Sequence, residues 1–141
     1  MDHTAQINHD AVLRARVALL GSGTLPVRRQ VAAYRVLVQV SPLAYLPRLV
    51  EALYEYSCQE FWDRPAISLA LRTEALSAAR RMCALEGGRE VLLASALAGY
   101  REQLALMGRD GELEAADAEL GSLGFGFKEA LETLRRPRGT V

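Results

Sequence analysis

The residues able to do covalent chemistry are few and badly placed for it. Cys58 is the natural thiol nucleophile, and Ser57 and Ser95 are the hydroxyl candidates beside predicted helix faces. Each needs a base within hydrogen-bond reach, and the serines also need a carboxylate to orient that base. The only histidines, His3 and His9, fall in the first nine residues, and their spacing of six is not the i, i+4 pair of a helical zinc site. Neither serine follows a strand, as a nucleophile elbow requires. Gly21-Ser22-Gly23-Thr24 and Gly124-Phe125-Gly126-Phe127 follow helices rather than strands and lack the Lys-Ser/Thr that grips phosphate and metal. The sequence therefore predicts no enzyme, no cofactor and no metal. The chemistry it offers is non-covalent capture by aromatics beside acids. Glu51, Tyr54, Cys58 and Phe61 share one stripe of a predicted helix, with Trp62 adjoining.

The elements that must position this stripe read as six helices in three hairpins, about 7–40, 43–85 and 89–121, with a short seventh over about 127–136. Gly21-Ser22-Gly23 stops the first helix, and Thr24 can cap the second, with Pro26 in its first turn. Ser41-Pro42 ends that helix, and Pro47 is expected in the first turn of the third. Asp63 can cap the fourth, ahead of Pro65. Glu86-Gly87-Gly88 and Gly108-Arg109-Asp110-Gly111 mark the next breaks. Gly121 to Gly126 reads as a flexible joint. Phe127, Ala130, Leu131 and Leu134 then form one apolar stripe, expected to close the end of the array. No strand-period alternation of useful length occurs, so the expected fold class is all-α in a single domain.

A repeat underlies these hairpins. Leu49, Ala52, Leu53, Tyr56 and Gln59 recur 44 positions on as Leu93, Ala96, Leu97, Tyr100 and Gln103, and Leu69 and Leu76 recur as Leu113 and Leu120. A period of this size holding two helices is the mark of a helical array, whose units bury their apolar faces on one another. Projected by the same register, the stripe of Tyr54 continues as Ser95, Ala98, Glu102 and Ala105 on the fifth helix. On the first it continues as Asp10, Leu13 and Val17, after allowing for a shortening of about three residues in that unit.

Leu93-Ala94-Ser95-Ala96-Leu97, then Tyr100, Leu104-Ala105, Met107-Gly108-Arg109, Glu112 and Ala115-Ala116, resembles one tetratricopeptide repeat, of the longer kind of roughly forty residues abundant in actinobacterial proteins. Tyr45-Leu46-Pro47 with Leu49, Leu53 and Ser57 resembles the opening of another. Glu74-Ala75-Leu76 with Arg80-Arg81, and Val31-Ala32-Ala33-Tyr34-Arg35, resemble second helices. Trp62-Asp63 departs from the pattern where Gly108 keeps it. The resemblance, over roughly residues 24–120, implies a solenoid of antiparallel helix pairs (tetratricopeptide-like) whose first helices line a concave groove for a protein or peptide partner. On that implication Asp10, Leu13, Val17, Glu51, Tyr54, Cys58, Phe61, Trp62, Ser95 and Glu102 are the partner-binding residues, with an aromatic floor and acidic edges.

Composition narrows the partner. Lys plus Arg equals Asp plus Glu at 17 each, so no global charge drives binding to nucleic acid or acidic membranes. Lys128 is the lone lysine among the 17 basic residues, a bias expected of a GC-rich genome. The pairs Arg28-Arg29, Arg80-Arg81 and Arg135-Arg136 lack interleaved aromatics and have acids nearby, which removes a single-strand nucleic-acid surface. No apolar run approaches the roughly 18 residues of a membrane span. Met1 to Asp10 carries no signal-like pattern, so the cytoplasm is the expected location, with Cys58 and Cys83 reduced and mostly buried. Val12, Leu13, Val17, Leu19 and Leu20 on the first helix leave room for a symmetric dimer. The alternative function is a small-molecule-binding regulatory or tailoring protein with a pocket between helices. It would need convergent polar groups around a buried charge.

Overall fold

The computed structural model describes residues 8–21 and 25–136, and within them the chain is all-α. Seven helices follow in order: α1 His9–Leu20, α2 Val27–Leu37, α3 Pro42–Glu60, α4 Pro65–Leu85, α5 Glu90–Leu106, α6 Asp110–Leu123 and α7 Phe127–Arg135. Each of α1 to α5 packs on the next in the chain, α3 also touches α5, and α7 packs back on α5.

Local chemistry sets the breaks. Asn8 caps α1 by accepting from the Ala11 amide at 3.1 Å. Thr24 lies outside the described residues, and α2 opens directly after Pro26. It stops at Leu37 rather than Val40, because the chain tightens: Gln39 and Val40 donate to the carbonyls of Val36 and Leu37, three residues back. Pro42 then opens α3 from an extended Ser41, which places Pro47 beyond the first turn and inside the helix. The amide missing at Pro47 costs α3 one bond to the carbonyl of Leu43, on an exposed residue. Asp63 makes no cap, and Arg64 holds that position before Pro65. The expected joint at 121–126 is shorter than its glycines suggested. Gly121 is helical, and α6 ends at Gly124, whose φ of 81° suits only glycine. The Phe125 amide returns to the Leu120 carbonyl at 3.2 Å, closing the helix end.

The core sits between α3, α4 and α5, around Val50, Ala52, Leu53, Ala79, Met82, Ala94, Leu97 and Ala98. A smaller cluster of Val12, Ala15, Ala33 and Leu37 joins α1 to α2. Of the positions related by 44 residues, Ala52 with Ala96, Leu53 with Leu97 and Leu76 with Leu120 are buried in pairs, while Tyr56 with Tyr100 and Leu69 with Leu113 are half-buried. Gln59 and Gln103 are also equivalent in sequence, yet only Gln103 is buried, accepting from the Ser68 hydroxyl at 3.0 Å. Gln59 turns outward to Glu55 on its own helix.

A second periodicity joins α2, α4 and α6. Arg35 of α2 grips Glu74 of α4 with two hydrogen bonds of 2.9 and 2.6 Å. Arg80 of α4 also grips Glu119 of α6 with two hydrogen bonds, of 2.6 and 2.9 Å, through Nη1 and Nη2 where Arg35 uses Nε and Nη2. Both pairs span 39 residues, so the arginine–carboxylate fork is repeated from one hairpin to the next. The hydrogen bond from Arg80 holds the Glu119 carboxyl below the usual carboxylate range. Because the folded value is depressed, this link is intact above the ordinary value of 4.5 and is lost as the pH falls through the lowered one.

These exposed forks align helices without carrying the stability. Glu119→Gln is expected to cost under about 1 kcal/mol, whereas Leu53→Ala, which empties a fully buried site, costs about 2–5 kcal/mol. Urea unfolding of both variants at neutral pH measures the difference, and a Glu119 effect equal to that of Leu53 would contradict it.

Candidate functional site

The residues expected to share one stripe divide into three groups. Tyr54, Cys58 and Glu102 come together, and their meeting point is a guanidinium that the sequence reading did not single out. Arg72 lies on the buried face of α4 with Ser68, Leu71, Ala75 and Leu76, and is itself only 5% exposed. A charge in that position must find partners, since an unpaired ion in low dielectric costs several kcal/mol. It finds them on both sides. Arg72 Nη1 donates to Glu102 Oε1 at 2.7 Å and to the Gly99 carbonyl at 2.9 Å, both on α5. Its Nε donates to Ser57 Oγ at 3.1 Å and its Nη2 to Cys58 Sγ at 3.5 Å, both on α3. The plane also stacks on Tyr54, with Cζ 4.8 Å from the ring centroid.

Tyr54 and Glu102 carry the network onward to α7. The Tyr54 hydroxyl donates to Glu102 Oε1 at 3.1 Å and accepts from Arg135 Nε at 3.2 Å. Arg135 Nη2 closes the ring on Glu102 Oε2. Glu102 is thus held between a buried arginine and an exposed one, one on each oxygen. No buried side-chain nitrogen or oxygen among the described residues lacks a partner.

Close approach of α7 depends on Gly99. A Cβ there would stand 3.0 Å from Tyr54 Cδ1 and 3.1 Å from Leu134 Cδ1, so the missing side chain lets the tyrosine ring and the α7 leucine meet over the helix backbone. Arg101 completes the seat by lying 4.3 Å over the Phe127 ring. Ala130 and Leu131 of α7 are buried, and Phe127 and Leu134 half-buried.

The other expected residues fall elsewhere. Ser95 is buried, its hydroxyl returned to the Val91 carbonyl at 2.9 Å, and with Tyr54 also buried neither lines an open groove. At the face expected to be open, α7 packs on α5 and its Arg135 reaches Tyr54. Phe61 is half-buried against Tyr56, edge to face at 5.0 Å. Glu51 is half-buried on α3, while Trp62 is 78% exposed beyond its end. Asp10, Leu13 and Val17 are exposed on α1, and none of them joins the network. Both cysteines are free, but Cys58 is exposed rather than buried, its sulfur accepting from Arg72. Burial pushes the half-buried Cys83 thiol up, and it donates to the Arg89 carbonyl at 3.3 Å.

Sequence reasoning missed Arg72, Ser57 as its acceptor, Gly99 and Arg135. One signal was available: a lone arginine on an otherwise apolar helical stripe announces a buried counter-charge. Comparison with protein-family models, with curated proteins and with solved structures finds no match to this chain.

The network has a titration signature. Burial pushes the Tyr54 phenol from 10.0 up to about 12, against the hydrogen bond from Arg135. The folded value is the higher one, so the contribution of the neutral phenol is intact below pH 10 and is lost as the pH rises from 10 toward 12. Absorbance at 295 nm should show a late phenolate component that shrinks in Tyr54→Phe, where Tyr100, also raised by burial, remains. Glu102→Ala strands Arg72 and is expected to cost about 3 kcal/mol, the lower end for a broken buried pair, by denaturant unfolding; a near-neutral result would mean that solvent replaces the carboxylate.

Proposed function

We propose that this chain is a non-enzymatic interaction module, a tetratricopeptide-like solenoid of three helix hairpins that holds a segment of a partner protein against the face formed by α3 and α5. The observation that carries this reading is α7 itself. A short amphipathic helix already lies on α5 and reaches α3 through one arginine, which is how helix-in-groove recognition is built: apolar anchors at i, i+3, i+4 and i+7 with a charge at the edge. The repeated arginine–glutamate forks between α2, α4 and α6 support the solenoid, because both join helices two apart in the chain across the same 39-residue spacing.

The polar centre of this face serves capture better than catalysis. Arg72 is consumed by protein partners, Glu102 is bonded on both oxygens, and Tyr54 is a neutral phenol wedged between them. Such a centre fixes the register of a bound helix and selects a cation at its end, whereas affinity comes from the apolar seat.

A photo-crosslinking amino acid placed at Cys58, exposed at the edge of this face, should give a discrete protein adduct in cells of the native host. The same group at Glu114, exposed on α6, should give none. Equal labelling from both positions, or none from Cys58, would remove the α3–α5 face as the binding surface.

A further inference from the structure

We propose that α7 is a built-in stand-in for the partner: the α3–α5 face accepts, in its place, an amphipathic helix from another protein bearing an aromatic, aliphatic residues and an arginine at the spacing of Phe127, Leu131, Leu134 and Arg135. This deepens the interaction-module reading and rests on it.

Three observations carry the inference. First, α7 is nine residues long, well under the roughly 12–15 at which an isolated helix becomes marginal, so its helicity depends on the face it occupies. Its N-terminal cap is Gly126, which supplies no side-chain hydrogen bond, and the link to α6 is the three residues Gly124-Phe125-Gly126. It is thus a weakly self-supporting segment on a pivot.

Second, its attachment has two parts of different character. The apolar part is Phe127 under Arg101, Ala130 and Leu131 in the core cluster, and Leu134 over Gly99. The polar part is a single side chain, Arg135, whose guanidinium is half in solvent while its partner Glu102 is mostly covered. An exposed arginine is readily exchanged for another, and the covered carboxylate stays behind to receive it.

Third, the receiving side does not need α7 for its shape. Glu102 keeps Arg72 and Tyr54, and Arg72 keeps Ser57, Cys58 and the Gly99 carbonyl when Arg135 withdraws. The face left open would present the Tyr54 ring edge, the Gly99 notch and a carboxylate oxygen without its cation. Charge complementarity thus selects a helix ending in arginine, and the notch selects an aliphatic residue one position before it.

The test uses the full-length protein and, as probe, a fluorescein-labelled peptide of residues 124–136. Leu131→Asp/Leu134→Asp in the protein disables its own α7. Apparent affinity scales with the fraction of molecules whose face is open, so this variant should bind the peptide at least about ten-fold more tightly than the wild type in fluorescence anisotropy. Peptides carrying Leu134→Asp or Arg135→Glu should not bind. Hydrogen exchange on the wild type provides a reading free of any folding defect in the variant: amides of α7 should exchange far faster than those of α3 and α5. Protection of α7 equal to that of α5 would overturn the proposal and make α7 a fixed part of the core. So would a folded variant with no gain in peptide binding, or one that dimerises without binding peptide, which would show the opened face to be covered by a second copy through a surface other than α7. Any of these would leave the Cys58 crosslinking result standing by its own evidence.

Discussion

A guanidinium buried between three helices is the constraint around which the molecule is arranged. Arg72 projects from α4 into the seam between α3 and α5, and its hydrogen bonds go to both. Measured against a well-packed apolar side chain, a buried ion pair adds little stability, because desolvation consumes much of the attraction. Its effect is on register. Sliding α5 by one turn would remove both the Gly99 carbonyl and the Glu102 carboxylate from the guanidinium and strand a charge at a cost of several kcal/mol. The apolar contacts of Leu53, Leu97 and Met82 could tolerate small shifts that this pair does not.

The same pair connects the core to the surface. Glu102 uses one oxygen for Arg72 and Tyr54 and the other for Arg135, so the buried charge and the docking of α7 share one carboxylate. Tyr54 is the hinge between the two. Its ring stacks on the buried arginine and its hydroxyl meets the exposed one. The docking of α7 therefore acts on a network whose far side is anchored in the core.

The helices have an even side and an uneven side. Along α2, α4 and α6 the Arg35–Glu74 and Arg80–Glu119 forks repeat as two-bond pairs at the same separation of 39 residues. Forty-five residues before Glu74 stands Arg29, and the same distance beyond Arg80 stands Phe125, so neither end of the chain of forks offers the complementary group for a third. Along α3 and α5 the copies diverge: Tyr54, Glu55 and Cys58 are answered 44 residues later by Ala98, Gly99 and Glu102. Divergence falls where the polar network and the seat of α7 are, and the matched pairs Ala52 with Ala96 and Leu53 with Leu97 fall in the core.

The helices and their order were legible in the sequence, because apolar spacing and the proline and glycine breaks act over a few residues and leave a local trace. Pro42, Pro65 and Gly124 set the ends of α3, α4 and α6 by backbone sterics alone. Tyr54, Cys58 and Glu102 were legible as neighbours because a 44-residue register puts them on adjacent helices. The tertiary structure decided what local patterns do not encode. It chose Arg72 as the group they surround, a contact of 30 residues' separation with Glu102. It also placed α7 across the α3–α5 face, bringing Arg135 to Tyr54 over 81 residues. An amphipathic helix declares that it must be covered and with what chemistry, but which of several apolar faces covers it depends on shape. Here the absent side chain of Gly99, and a carboxylate already half spent on Arg72, make that choice.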